Sequence, residues 1–304
     1  MREFISVVLP AFNEEKNIEP IFFEIQKYLG GRKFEVVIVD DGSQDGTAAT
    51  AKSLANTHPE VQLLQLTRNF GHQAALLAGL SISKGDAVIA MDCDMQHPPQ
   101  YLPEMIDAWQ RGIFVIQMRR TSADGISWQK KFLSEIFYKM INRMSRINIH
   151  PNVADFMLLD RQVVEQILAI EGRSLFLRGL ISWLGYKSVV MDYAAPMRRH
   201  GKASYTIGKS MALAMAAILT LSKIPLRIGV FIGLGSALLA ILFLFYSVHA
   251  WANGDVIAGW TSLVTIILLL GSVQMVVLGI IGEYVGNLFD SARGLDRPPL
   301  GGPV

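Results

Sequence analysis

Only one cysteine, Cys93, occurs in the 304 residues. No disulfide can form within the chain, and a reducing compartment suits it. Charge is scarce too. Asp, Glu, Lys and Arg make up 18% of the residues and hydrophobic ones 51%, where a soluble globular protein carries about 25% charged. That shortage excludes a disordered chain and argues against a purely cytosolic one. A net charge of +2 gives no sign of nucleic-acid binding. The strand ends carry neither GxGxxG nor GxxxxGKS/T, which argues against a dinucleotide oxidoreductase or a P-loop enzyme. Pro10, Asn13, Glu14 and Glu15 follow Met1 too soon for a signal peptide.

Two long runs hold no Asp, Glu, Lys or Arg: Ile228–Gly254 and Val256–Gly282. Each is longer than the roughly 20 helical residues needed to cross a hydrocarbon core of ~30 Å. Both are read as membrane spans rather than buried core helices. Lys202, Lys209, Lys223 and Arg227 precede the first run, and Arg293 and Arg297 follow the second. Trp251–Gly259 between the runs has Asp255 and no Lys or Arg. By the positive-inside bias, the large domain and both termini are expected on the cytoplasmic face of an inner, multi-pass membrane protein. The expected organisation is a soluble domain over 1–200, an interfacial amphipathic helix over 201–225, two spans over 226–286 and a tail over 287–304.

The soluble part alternates short apolar runs with helical spacing, the pattern of a mostly parallel sheet covered by helices. Strands are expected at Phe4–Leu9, Glu35–Val39, Val61–Leu66, Ala87–Met91 and Ile113–Met118. Helices are expected at Asn17–Leu29, Gly46–Ala55, His72–Ser83 and Gln100–Gln110. After Arg120 the alternation lapses. Apolar residues from Trp128 to Met144 then recur at helical spacing with Lys130, Lys131, Lys139 and Arg143 between them, a basic amphipathic helix for a solvated face or a lipid surface. Ile207–Ser222 has a similar stripe just before the first span.

Asp92-Cys93-Asp94 directly follows the run Ala87–Met91. Ligands of open α/β sheets bind at the carboxyl ends of strands, and two carboxylates there repel unless a cation lies beside them. Mg²⁺ or Mn²⁺ takes one or two carboxylates together with substrate phosphates. Asp40-Asp41 ends an earlier strand. Asp45 or Ser43 caps the helix after it, whereas Asp41 is left to accept from a base. The first strand runs into Pro10-Ala11-Phe12-Asn13-Glu14, where Phe12 can flank a base and Glu14 can accept from a ribose hydroxyl or cap a helix. Three such strand ends describe a cleft for a nucleoside diphosphate. His72 is read as opening a helix, with a ligand role as the lesser alternative, and His97, beside Pro98 and Pro99, as turn chemistry. Gly229 and Gly233 form a GxxxG suited to close helix contact.

VVLPAFNEE, VIVDDGSQDGT, RNFGHQAALLAGL and MDCDMQHPP, in that order and spacing, resemble family 2 glycosyltransferases of the GT-A fold. FLRGLISWLGY, the two spans and GIIGEYVGN resemble in particular the polyisoprenyl-phosphate glycosyltransferases, above all the bactoprenol-phosphate glucosyltransferases and, beside them, the dolichol-phosphate mannose synthases. The resemblance implies an inverting transfer of a hexose from a nucleotide diphosphate sugar, UDP-glucose first, to undecaprenyl or another polyprenyl phosphate. It implies nucleotide contacts at Pro10, Phe12, Glu14, Val39, Asp41, Asp92 and Cys93, and a divalent metal at Asp92, Asp94 and Gln96. Arg119 is implied as a cation facing the phosphates. Asp155 is implied to orient acceptor or sugar. Lys130, Ser134, Arg178, Arg198 and Lys202 are implied for the acceptor phosphate. Relatives read GDFRL where this chain has Met157, and R-x-x-G-x-S/T-K where Arg198–Ser204 lacks the final Lys, with Lys202 in its stead. Other donor sugars, a homo-oligomer and a non-catalytic membrane scaffold are compatible with the same residues. A processive polysaccharide synthase is disfavoured because no QxxRW segment occurs, and a transporter because neither span carries a central charge.

Overall fold

Runs such as Val36-Val37-Ile38-Val39 have no polar face to turn to water, and the fold buries them on both sides. The computed structural model describes residues 3–121, 153–170, 177–194 and 259–292, with scattered positions between 229 and 253. The chain separates into two compact units, Met1–Ser210 with Gly294–Val304, and Met211–Arg293.

In the first unit the strands are β1 (Ile5–Ala11), β2 (Phe34–Asp40), β3 (Val61–Gln65), β4 (Ala87–Ala90), β5 (Val115–Arg120), β6 (Val153–Asp160) and β7 (Ser188–Tyr193). They form one sheet in the order β3-β2-β1-β4-β6-β5-β7. Only β6 is antiparallel to its neighbours, β4 and β5. The helices are α1 (Glu15–Leu29), α2 (Thr47–Thr57), α3 (His72–Ile82), α4 (Leu102–Gln110), α5 (Arg161–Ala169) and α6 (Leu177–Leu184).

Alternate residues of each strand feed two cores. Val7, Val36, Ile38 and Ile89 pack with α1, α2 and α4, while Val8, Val37, Val39 and Val88 pack with α3, α5 and α6. Buried all round from Ala74 to Leu80, α3 presses so closely on the sheet that a Cβ at Gly79 would overlap Val8 and Val39.

The mostly parallel α/β sheet matches the expectation, with strand ends shifted by one or two residues. The lapse after Arg120 is corrected. Strands β6 and β7 and helices α5 and α6 continue the sheet there, and the run Phe156-Met157-Leu158-Leu159 was the signal for β6. The expected helices at Trp128–Met144 and Ile207–Ser222 lie outside the described residues.

In the second unit, α7 (Trp260–Ala292) is a single helix of 33 residues. Its stretch Leu269–Gly286 has a mean hydropathy of 1.6 and is long and apolar enough to cross a membrane. Leu263, Ile267, Leu269 and Met275 are exposed on it. The described positions from Gly229 to His249 are helical and expose Phe231, Leu238 and Phe245. A Cβ at Gly229 would lie 3.3 Å from Val277 of α7, so glycine lets the two segments approach closely there.

Candidate active site

Because β6 runs against its neighbours, its first residues lie where β1, β2 and β4 finish. Ala90 of β4 is paired with Met157 of β6. The ladder ends there, and two residues further on in each direction stand Asp92, in the loop after β4, and Asp155, near the start of β6.

His72, the first residue of α3, bridges the pair. Its Nε2 lies 3.5 Å from Asp92 Oδ1 and 3.5 Å from Asp155 Oδ2. Asp155 Oδ1 accepts from Arg178 Nε at 2.7 Å, and Oδ2 accepts from Gln73 Nε2 at 2.9 Å. Burial disfavours charge on Asp155, but the Arg178 guanidinium and His72 outweigh it and hold the carboxyl well below the usual carboxylate range. Burial opposes charge on His72 as well. The bond to Asp155 and the charges of Asp92 and Asp155 prevail there, pushing its pKa up to about 9. Two carboxylates and two cations thus interlock at the middle of the carboxyl edge.

The loop after β4 is held in one shape. The Asp92 amide donates to His97 Nδ1 at 2.9 Å, and the His97 ring stacks on Phe156 with centroids 5.0 Å apart. Asp94 Oδ1 accepts from the Gln96 amide at 3.0 Å across Met95, whose φ of 63° lies in the left-handed region. The Asp92 side chain is 35% exposed and Asp94 6%. Among the described residues no group of three or more His, Cys, Asp and Glu could hold a metal ion. Two carboxylates and a carboxamide are nonetheless hard oxygen donors of the kind Mg²⁺ and Mn²⁺ accept, with phosphates completing the shell. The residues fit the implied ion on that basis.

Towards β1 and β2 the edge is aromatic. Phe12 follows β1 with 42% of its surface exposed. Arg68 lies over the Phe70 ring, 4.2 Å from its centroid. Asp41, expected to meet a base, turns inward instead: Oδ1 accepts from the Phe70 amide at 2.7 Å and Oδ2 from the Gly71 amide at 2.9 Å. It is buried, which raises its pKa against the lowering effect of those two bonds. Asp41 therefore shapes the 68–71 loop. Asp45 was expected to cap α2, but the N-cap is Gly46, and Asp45 Oδ1 accepts from the amide of Thr47, the first helical residue, at 3.0 Å. Glu14 Oε2 accepts from Asn17 Nδ2 at 2.6 Å. Pro10 and Val39 are buried in the sheet. The Cys93 thiol is buried too, donating to the Pro10 carbonyl at 3.4 Å, so it is not presented to the cleft.

Towards β5 and β7 lies Arg119, expected to face the phosphates. Arg119 is engaged by Asp192, at 2.6 Å from Nε to Oδ1 and 2.9 Å from Nη2 to Oδ2. Successive strand residues point to opposite faces, and it is Arg120 that reaches the metal-motif loop, with Nη1 3.5 Å from Gln96 Oε1. Lys130, Ser134, Arg198 and Lys202 lie outside the described residues. Sequence reasoning missed Gln73 as a site residue and preferred helix opening to a ligand role for His72. Their adjacency to Asn69-Phe70-Gly71, at the end of another parallel β–α unit, was the available signal.

Residues 6–168 match the family model described as glycosyl transferase family 2. A prophage bactoprenol glucosyl transferase homolog of Escherichia coli is 37% identical over 294 residues, covering 94% of each chain. A bactoprenol glucosyl transferase of Shigella phage SfV is 37% identical, covering 95% of each. An uncharacterized glycosyltransferase of Synechocystis is 34% identical, over 95% of this chain and 92% of its own length. Among solved structures, glucosyl-3-phosphoglycerate synthase of Mycobacterium tuberculosis, crystallised with Mn²⁺, UDP and phosphoglyceric acid, superposes with a TM-score of 0.56. It is 18% identical, over 72% of this chain and 77% of its own. That likeness shows the GT-A α/β fold.

Proposed function

The chain belongs to glycosyl transferase family 2, and on that premise we propose that it moves one hexose from a nucleotide diphosphate sugar to a polyprenyl phosphate at the cytoplasmic membrane face. UDP-glucose is the donor and undecaprenyl phosphate the acceptor in this reading. One observation carries it: a single chain joins the Asp92–His72–Asp155–Arg178 cluster of a family 2 sheet to an apolar helix of 33 residues. Relatives covering nearly the whole chain and named for bactoprenol glucosyl transfer support the lipid acceptor. The exposed Leu, Ile, Met and Phe side chains of the second unit support its seat in lipid, where two spans would place both termini in the cytoplasm.

An acceptor phosphate already carries negative charge near neutral pH, so the reaction requires no strong base. Its obstacles are repulsion between phosphates and the charge that grows on the leaving diphosphate. When bound at Asp92, Asp94 and Gln96, a divalent cation supplies Lewis-acid stabilisation of that leaving group. Arg120 adds positive charge from the loop's other side, and Phe12 stacks the base. Asp155, pinned by Arg178 and Gln73, is rigidly aimed beside the reacting sugar. Lys130, Ser134, Arg198 and Lys202 remain the assigned contacts of the acceptor phosphate, so that it attacks in line, while Arg178, first assigned with them, is bonded to Asp155. The bond from C1 to the diphosphate oxygen breaks as the bond from C1 to the acceptor oxygen forms. A single displacement of this kind inverts the anomeric centre, giving a β-linked product from an α-linked donor.

Membranes carrying the protein, given a panel of labelled nucleotide sugars with undecaprenyl phosphate and Mg²⁺ or Mn²⁺, should form one labelled lipid phosphate sugar, from UDP-glucose. Sugar release to water alone, or no product with any donor, would contradict the reading. The same assay separates the two arginines. Arg120→Ala should lower turnover by roughly tenfold or more, the scale of one lost charge-assisted contact. Arg119→Ala should be mild, because Asp192 already engages that side chain on the surface. Equal losses would return the phosphate role to Arg119.

A further inference from the structure

Gln73 Oε1 is the only buried side-chain nitrogen or oxygen among the described residues that has no hydrogen-bond partner. Buried acceptors are almost always satisfied, and an exception calls for an explanation. Flipping the amide does not supply one. Nε2 donates to Asp155 Oδ2 at 2.9 Å, and exchanging N for O would set a carbonyl against a carboxylate. The Asp155 carboxylate is itself locked from the far side by Arg178. The orientation of Oε1 is therefore dictated, and its need for a donor is unmet among the described residues.

Which group meets that need follows from position and chemistry. Gln73 is the second residue of α3, bonded to the carboxylate that His72 links to Asp92. Along the sheet edge, β1 and β2 carry the nucleoside end with Phe12, β4 carries the diphosphate motif, and β6 comes next. What lies beyond the diphosphate, opposite the nucleoside, is the transferred sugar. The two phosphates have no hydrogen to offer at neutral pH, and neither has a prenyl tail. Base and ribose belong to the other end of the cleft. Among the parts of the two substrates, only the hexose brings hydroxyl donors to this place.

We propose that Gln73 is a sugar-recognising residue, its Oε1 accepting a hydrogen bond from one hydroxyl of the donor's hexose while its Nε2 holds Asp155. This rests on the nucleotide-sugar reading above and deepens it. A site built to bond a hydroxyl rejects the analogue that lacks it, because the buried partner is then left unpaired. Gln73 thus contributes to the choice of sugar, and Asp155 shares in it through the bond between them.

The test compares Gln73→Met, which keeps the length and loses the amide, with the wild-type protein. UDP-glucose, its deoxy analogues at each ring position, and UDP alone are titrated in the presence of Mn²⁺. The wild type should lose tenfold or more in affinity with one deoxy analogue. Gln73→Met should bind UDP as the wild type does, bind UDP-glucose about tenfold more weakly, and no longer distinguish that analogue from UDP-glucose. Equal weakening for UDP and UDP-glucose would mean that the amide merely supports the cleft, and overturns the proposal. So would a deoxy penalty that survives in the variant, or a wild type indifferent to every analogue. Binding is read without the acceptor. A protein that shows the expected pattern but transfers nothing to undecaprenyl phosphate would sink the acceptor reading and leave Gln73 in place.

Discussion

Asp94→Asn should abolish most turnover while the protein still inserts in the membrane. The amide keeps the size of the side chain and still offers an oxygen to the Gln96 amide, which Asp94 Oδ1 accepts at 3.0 Å in the native loop. Folding of the loop should therefore survive. What disappears is the negative charge, and a neutral amide holds a divalent ion far less well. Stabilisation of a leaving diphosphate is worth several kcal/mol. At ~1.4 kcal/mol per decade, a loss of about 3–4 kcal/mol lowers the rate roughly 100- to 1000-fold. Initial rates of lipid product formation, with membrane-bound protein quantified separately, give the comparison. Wild-type-like activity in membranes washed with chelator would defeat the metal assignment, and a variant missing from the membrane would show that Asp94 acts on folding instead.

Asp155→Ala should be the most destabilising single change in the cleft. Asp155 is partly buried, with a side chain 12% exposed, and it is the common partner of Arg178, Gln73 and His72. Removing one member of such a charge network leaves Arg178 without its carboxylate and His72 with Asp92 alone, at a cost of about 3 kcal/mol. For a domain of this size that corresponds to a fall in Tm of roughly 6–12 °C. Melting of the detergent-purified protein reads it directly, and an unchanged Tm would show the cluster to be solvent-screened.

Asp155→Asn adds a pH signature. The folded carboxyl titrates below its ordinary value of 3.8, so the unfolded chain takes up its proton first as the pH falls. The advantage of the wild type over Asp155→Asn is accordingly complete above that value. It shrinks as the pH drops below it towards the folded pKa. A difference that grew in acid would mean that the carboxyl is neutral in the folded state.

Much of the fold was legible because burial on both faces leaves a local mark. Val36–Val39 and Ala87–Met91 are apolar without alternation, and only a sheet covered on both sides accommodates that. Asp92 and Asp94 stood out for the same reason, as the first charges after a buried strand. The long apolar helix declared itself by its length, and the family by several motifs in order. Strand β6 was missed as a strand because its partners β4 and β5 are far from it in sequence, and antiparallel insertion has no local signature beyond the short run Phe156–Leu159.

Most of what makes the site a site comes from that insertion. Composition and spacing by themselves determined a mostly parallel α/β sheet, a carboxylate motif at a strand end and a long apolar helix, and several motifs in order carried the resemblance to a family. Only the tertiary structure decided that Asp155 faces Asp92, that His72 stands between them and that Gln73 is left with an unmet acceptor. It also turned Asp41 inward onto the amides of Phe70 and Gly71, and gave Arg119 to Asp192 while Arg120 reached Gln96. Residue types and their order set which chemistry is available. Which groups meet depends on strand register and on the alternation of side chains across a sheet, where a shift of one residue sends a side chain to the opposite face.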